Sequence, residues 1–379
     1  GPFLYQLYRH YRFAHAQIAG LYLGGVTAAV AAGWVAAPLT DAVGRKKSCV
    51  VFSFLYSFSC LVKLSRQYFA LLGARVLGGL AAAVLFAALE AWYVEEHVGR
   101  HDFPADWLAL TFSQAAFWNH FVAVAAGAAA EVGAQGLALG PVAPFLAAIP
   151  FLVASGCYAW KNWEENYGPK ATWGRSCGDP LRCLLSDRRV FLLGAVQMLF
   201  ESVVFVFIFL WTPLLQPHGA PLGIVFAAFM AASALGSSLY RLLVSASLLQ
   251  PSHLLLLAVL LLFLAFLALL FATQPVQAFG AFLFVEFSCG LYFPAMGFLR
   301  RKIVPQKDRA GVTNWFHLPL NLLVWLVLLG WPPTHGASDM GSACALLALL
   351  ALLVATGLFA LIRRDAELRC PTDAAVSDL

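Results

Sequence analysis

The sequence predicts an all-α membrane protein, and three observations carry that reading. Of the 379 residues, 61% are hydrophobic and 11% charged, whereas soluble domains are about a quarter charged. Eleven stretches reach the ~20 mostly apolar residues that a membrane-crossing helix needs: 15–39, 48–65, 68–91, 108–130, 140–160, 190–213, 222–243, 253–273, 276–299, 311–331 and 341–362. The basic residues are also sorted by side. With the short loop at 41–47 placed in the cytoplasm and the spans alternating, 19 of the 24 Lys and Arg fall on the cytoplasmic face.

A water-soluble fold of this length could not hide so much apolar surface. The lipid bilayer is therefore the first partner. The net charge of +5 reflects the cytoplasmic bias and gives no reason to expect nucleic acid. A monomer is expected. Eight cysteines are present, with no Cys-x-x-Cys pair, and they read as small buried apolar residues. No metal site and no cofactor are expected.

The first loop, Asp41-Ala-Val-Gly-Arg-Lys-Lys47, joins two apolar segments through a charged hairpin. Arg100 lies in the next cytoplasmic loop. The longest polar stretch follows, carrying Lys161, Lys170, Arg175, Arg182, Arg188 and Arg189. Arg241 closes one span, Arg300 to Arg309 fill another loop, and Arg363, Arg364 and Arg369 follow the last span. Only Arg9, Arg12, Lys63 and Arg66 fall outside, and Arg75 is left within a span. Eleven spans with a cytoplasmic C-terminus put residue 1 outside, so at least one helix is expected to precede this chain. The domain reading is residues 1–160 as an N-terminal helical bundle lacking its first helix, 161–189 as a cytoplasmic linker, 190–363 as a C-terminal bundle and 364–379 as a tail. Restoring one helix gives two six-helix bundles, the layout of the major facilitator fold.

Asp41-x-x-Gly44-Arg45-Lys46 resembles the signature loop of that superfamily. Gly44 permits a sharp turn. Asp41 suits the positive end of a neighbouring helix, which the family places at the span starting near Gly311. Arg45 can pair with an acid at the inner end of 68–91, where Glu90, Glu95 and Glu96 lie. Asp41, Gly44, Arg45 and Glu90 together would latch one of two states; alternatively these charges only mark the cytoplasmic face. Arg75-x-x-Gly78-Gly79 resembles a second family motif. A lone Arg in a span is costly and usually functional, though one near the interface can also snorkel to water. Gly78, Gly79, Ala82 and Ala83 form a small-residue face for close helix packing.

Two acids lie mid-span, Glu201 and Glu286. Gln197 shares a helix face with Glu201. A carboxyl in low dielectric can carry a proton, so both are candidates for proton coupling; a structural inter-helix hydrogen bond is the plainer alternative. Asn314, His317 and Asn321 recur at helical spacing as one polar stripe. Gln114, Asn119 and His120 crowd another span. Arg75, Asn119, Gln197, Asn314 and His317 are the candidate substrate-binding residues. Ser233, Ser237 and Arg241 read as packing and anchoring, and Glu131 as a span end that meets water. The chain has no P-loop and no nucleophile paired with a base, so it is not read as an enzyme.

A closer resemblance rests on Phe86-Ala-Ala-Leu-Glu90-Ala-Trp92-Tyr93, Arg100-His-Asp-Phe-Pro104, Phe117-Trp-Asn-His120, Phe200-Glu201-Ser202, Pro217-His-Gly-Ala-Pro-Leu-Gly223 and Gly290-Leu-Tyr-Phe-Pro294. These stretches look like the molybdate-anion transporter family of major facilitators. The resemblance implies a multi-pass plasma-membrane protein that imports molybdate by alternating access. The residues also fit a carrier of a neutral solute such as a sugar, and a transporter-shaped scaffold is the remaining rival. A tetrahedral dianion needs a cation and several donors. Arg75 is the one fixed positive charge in a span, and Glu201 and Glu286 would repel the anion unless protonated.

Overall fold

The computed structural model describes residues 2–104, 107–168, 178–305, 309–330 and 337–369. Lys170, Arg175 and Lys307 of the cytoplasmic set lie outside the described residues. Thirteen α-helices run in order: α1 Phe3–His10, α2 His15–Val43, α3 Arg45–Val62, α4 Tyr68–Val94, α5 Trp107–Glu131, α6 Ala143–Asn162, α7 Gly178–Ser186, α8 Arg188–Leu215, α9 Leu222–Ser245, α10 Pro251–Leu270, α11 Pro275–Ile303, α12 Arg309–Gly330 and α13 Ala337–Arg369. Among the described residues there is no strand.

Each of the eleven expected spans coincides with one helix, α2 to α6 and α8 to α13, and seven lie wholly within it; 48–65, 140–160, 253–273 and 311–331 run one to three residues past a helix end. Helices suit a bilayer because each satisfies its own backbone polar groups. Nine stretches among the described residues are long and apolar enough to cross a membrane by length and composition. Of the eleven helices, α5 and α3 stand outside that set, and α3 opens on three cations, Arg45, Lys46 and Lys47. Pro at the start of α10 and α11 costs no hydrogen bond there. The break between α2 and α3 is a single residue, Gly44, at φ +115, a conformation that disfavours any side chain.

The chain divides into two compact units. The first comprises Gly1–Ser176, Phe209–Met230 and Leu328–Pro333. In it α4 packs on both α2 and α3, and α3 also packs on α6. The small-residue face of α4 is used as the sequence indicates. A Cβ on Gly79 would strike the backbone oxygen of Gly25 on α2, and one on Gly78 would sit 3.3 Å from the Ser59 hydroxyl. Backbones that approach this closely gain dispersion contacts that lipid cannot supply.

The second unit comprises Cys177–Ile208, Ala231–Val327 and Thr334–Leu379. Here α10 packs on α11 and α13. Gly236 on α9 and Gly290 on α11 face each other, and a Cβ on either would strike the other helix's backbone. The Ser237 hydroxyl donates to the Gly290 carbonyl at 3.1 Å. The serine stripe on α9 is thus a packing surface.

Candidate functional site

Three clusters gather the polar residues, two in the first unit and one in the second. The deepest in the first unit is built on α1, α2 and α4. Arg75 donates from Nε to the Leu21 carbonyl at 3.2 Å. Its guanidinium lies 5.3 Å from the centre of the Tyr22 ring, a cation–π contact. Gly25 makes the room, since a Cβ there would meet Nη2 at 2.8 Å. No carboxylate pairs with Arg75 among the described residues. Only one of its five N–H donors has a described acceptor.

Lys63, expected in the outer loop, is instead buried at 5% exposure. Its ammonium folds back one turn and donates to the Ser59 carbonyl at 3.1 Å and the Ser59 hydroxyl at 3.3 Å. The rings of Phe145 and Tyr56 flank it at 5.1 and 5.9 Å. Ser59 in turn donates to the Ala74 carbonyl at 2.8 Å, which ties Lys63 to the helix turn that carries Arg75. A long side chain that ends one turn from its own Cα can be buried in either direction, so sequence position alone does not reveal it. Asn119, expected alongside Arg75, is exposed on α5 and makes no described contact with it.

The Asp41–Lys47 loop forms the second cluster. The Arg45 guanidinium pairs with Asp41 at 2.7 Å across one helical turn and donates to the Ala91 carbonyl at 3.2 Å. The expected acid at the end of α4 is not its partner. Glu90 is exposed and makes no described ion pair, and Glu96 instead accepts from Arg100 and Asn166. The residue that completes the loop is Glu165. Its carboxylate accepts the backbone N–H groups of Lys46 at 2.9 Å and Lys47 at 3.2 Å. These are donors that the first turn of α3 cannot satisfy itself, and the helix dipole favours an anion there.

Neighbouring residues hold Glu165 in place. Trp163 stacks on Trp92 at 3.9 Å, the Trp92 indole donates to the Glu164 carbonyl at 2.8 Å, and Asn166 accepts from the Arg45 N–H at 3.1 Å. Arg100 is ion-paired with Glu164 and holds that carboxyl below the usual carboxylate range. A Cβ on Gly44 would meet the Glu165 carboxyl at 2.6 Å. The glycine therefore serves both the turn and the acid beside it. Glu131 shows the same chemistry elsewhere in this unit: it does not simply meet water, because its carboxylate accepts the Gly223 N–H at 2.7 Å in the first turn of α9.

The third cluster lies in the second unit. Glu201 on α8 accepts from the Tyr292 hydroxyl of α11 at 3.2 Å and from Gln197 one turn earlier. His317 on α12 approaches its other oxygen at 3.9 Å. Tyr292 is fixed by a parallel stack on Phe200 at 3.7 Å. The expected set of Gln197, Glu201 and His317 thus comes together, with Asn314 one turn before His317 on the same helix face. Glu286 makes no described hydrogen bond or ion pair, although the Cys289 thiol is within electrostatic reach of both carboxyls. Asn321, on the same stripe, turns its amide back to the His317 carbonyl. Tyr292 was the residue to look for beside the acids. Its one signal was a hydroxyl-bearing aromatic within a span that also carries Glu286.

Comparison with known proteins settles the family. The family described as sugar transporters, 12 TM, matches residues 1–292. A protein named molybdate-anion transporter from Xenopus tropicalis is 52% identical over 98% of this chain and 84% of its own length. A zebrafish (Danio rerio) protein of the same name is 47% identical over 97% and 85%. This chain belongs to the molybdate-anion transporter family of major facilitators. The structure agrees at the level of fold. The nucleoside transporter NupG matches with a TM-score of 0.68, covering 94% of each chain, and the xylose transporter XylE from E. coli with 0.67, covering 91% of this chain and 86% of its own. Both are 12% identical. The family consists of multi-pass membrane transporters rather than enzymes.

Proposed function

We propose that this chain imports molybdate across the plasma membrane as a secondary transporter working by alternating access, with its C-terminus in the cytoplasm. The observation that carries the reading is the 52% identity, over nearly the whole chain, to a protein named for that anion. The chemistry of the first unit supports it. Arg75 offers a charge and N–H donors with no acid to neutralise them among the described residues, and an Arg so placed is costly in a membrane unless it has an anionic partner. Lys63 adds a buried cation to the half-buried Arg75 in the same unit, which suits a doubly charged cargo. A neutral sugar gives no reason to bury two cations.

Glu201 is the candidate proton carrier of the second unit, with Tyr292, Gln197 and His317 as its neighbours and Glu286 as a second acid. Asn314 and His317 remain candidate substrate contacts on the same stripe. Asp41, Gly44, Arg45 and Glu165 act as the cytoplasmic latch, with Glu165 taking the place first assigned to Glu90. The residues 1–160 and 190–363 form the two bundles, joined by the linker at 161–189.

The test is uptake of radiolabelled molybdate by cells expressing the full-length protein, with tungstate, sulfate and glucose as competitors. Competition by the tetrahedral anions and none by glucose is expected. Absence of uptake, or competition by glucose alone, would sink the molybdate reading.

A further inference from the structure

Tyr8 on α1 carries a hydroxyl with no hydrogen-bond partner among the described residues. The side chain is completely buried, at 0% exposure. Leaving a buried hydroxyl unpaired costs free energy, and a phenylalanine would fill the same space without that cost. The ring itself is well seated, in edge contact with Tyr22 at 6.5 Å. Tyr22 is the residue over which the Arg75 guanidinium sits, and Arg75 acts electrostatically on the Tyr8 phenol. A free O–H donor and a guanidinium with unused N–H donors therefore lie against the same ring, that of Tyr22, with no described carboxylate paired to either.

Such a donor set fits one chemical class. A tetrahedral oxyanion accepts hydrogen bonds on every oxygen, takes two parallel bonds from a guanidinium, and leaves further oxygens for a phenol. We propose that Tyr8 is a substrate-contacting residue, donating its hydroxyl to the oxyanion that Arg75 holds by charge. The proposal rests on the reading of Arg75 as the anion-binding residue and extends it to α1. No charged residue and no motif marks Tyr8, and it lies before the first expected span.

Phenylalanine is the informative substitution because it keeps the ring and removes only the unpaired group. Molybdate uptake is measured against concentration for wild type, Tyr8→Phe and Arg75→Gln in the full-length protein. The thermal stability of each purified protein is measured with and without molybdate or sulfate. Tyr8→Phe is expected to raise the apparent KM for molybdate about tenfold, with the maximal rate largely kept, as loss of one hydrogen bond to a charged ligand implies. It should also reduce the molybdate-induced thermal shift while leaving the ligand-free protein as stable as wild type or more so. An unchanged KM and an unchanged thermal shift in Tyr8→Phe, with Arg75→Gln impaired, would overturn the role of Tyr8 alone. Wild-type behaviour in Arg75→Gln would overturn the Arg75 reading and this extension together, as would a wild-type protein with neither uptake nor thermal shift.

Discussion

The two units hold opposite charges in half-buried or buried positions. The first holds Arg75 and Lys63 in apolar surroundings, among tyrosines and backbone carbonyls, with no described acid paired to either. The second holds Glu201 and Glu286, one hydrogen-bonded to Tyr292 and Gln197 with the Arg300 charge within electrostatic reach but no described ion pair to it, and the other without described partners. Neither arrangement is self-neutralising, and unpaired charge in a low-dielectric interior is unfavourable. A structural role would be served better by pairing the charges within each unit. Separate burial fits a protein whose cargo neutralises one set and whose protons neutralise the other.

The largest effect that could break this comparison is expected at Arg75. Arg75→Gln removes the fixed charge and should lower molybdate uptake by more than about a hundredfold, since each ~1.4 kcal/mol of lost binding is tenfold. Normal uptake would mean that the cation of the first unit is structural. Glu201→Gln mimics the protonated carboxyl. If protonation admits the anion, wild-type uptake should rise as external pH falls, whereas the variant should keep its uptake and lose the pH dependence. A variant that tracks wild type across pH would remove the proton from the second unit.

Smaller effects sharpen the latch. Gly44→Ala forces a side chain into a left-handed conformation, which costs on the order of 1–3 kcal/mol, and drives it against Glu165. A lower melting temperature is expected. Glu165→Gln leaves an acceptor but no charge at the start of α3, so a loss of about 1 kcal/mol is expected, read in the same thermal assay. Glu164→Gln should be the mildest. Arg100 depresses the Glu164 carboxyl, so its contribution is present above the ordinary carboxylate range and is lost as pH falls from there through the depressed value. Both partners face solvent, and such pairs contribute little.

Most of the fold was legible because a bilayer demands long apolar helices and composition records them directly. Every expected span matched one helix to within three residues at its ends, and the glycine between α2 and α3 marked its own turn. The sites were less legible for a definite reason. Gln197 and Glu201 could be grouped from spacing on one helix, and so could Asn314 and His317. Contacts between helices left no spacing to read. Glu165 reaches α3 across 119 residues and Glu131 reaches α9 across 92, and nothing local to either acid names its target. The burial of Lys63 was not legible because its side chain is held by Ser59 and two rings that no local pattern names. Glu90 looked the better partner for Arg45 only because it sat at the expected end of the expected helix.

The Glu165 contact also imposes an order on biosynthesis. Helix α3 is made early, yet the two amides at its start receive their acceptor only after α6 and the tryptophan stack behind it have left the ribosome. Until then the junction of α2 and α3 depends on water or on the insertion machinery. The α2–α3 junction is therefore closed by a later part of the chain, and a nascent chain halted before Trp163 would hold both helices with that seam still open.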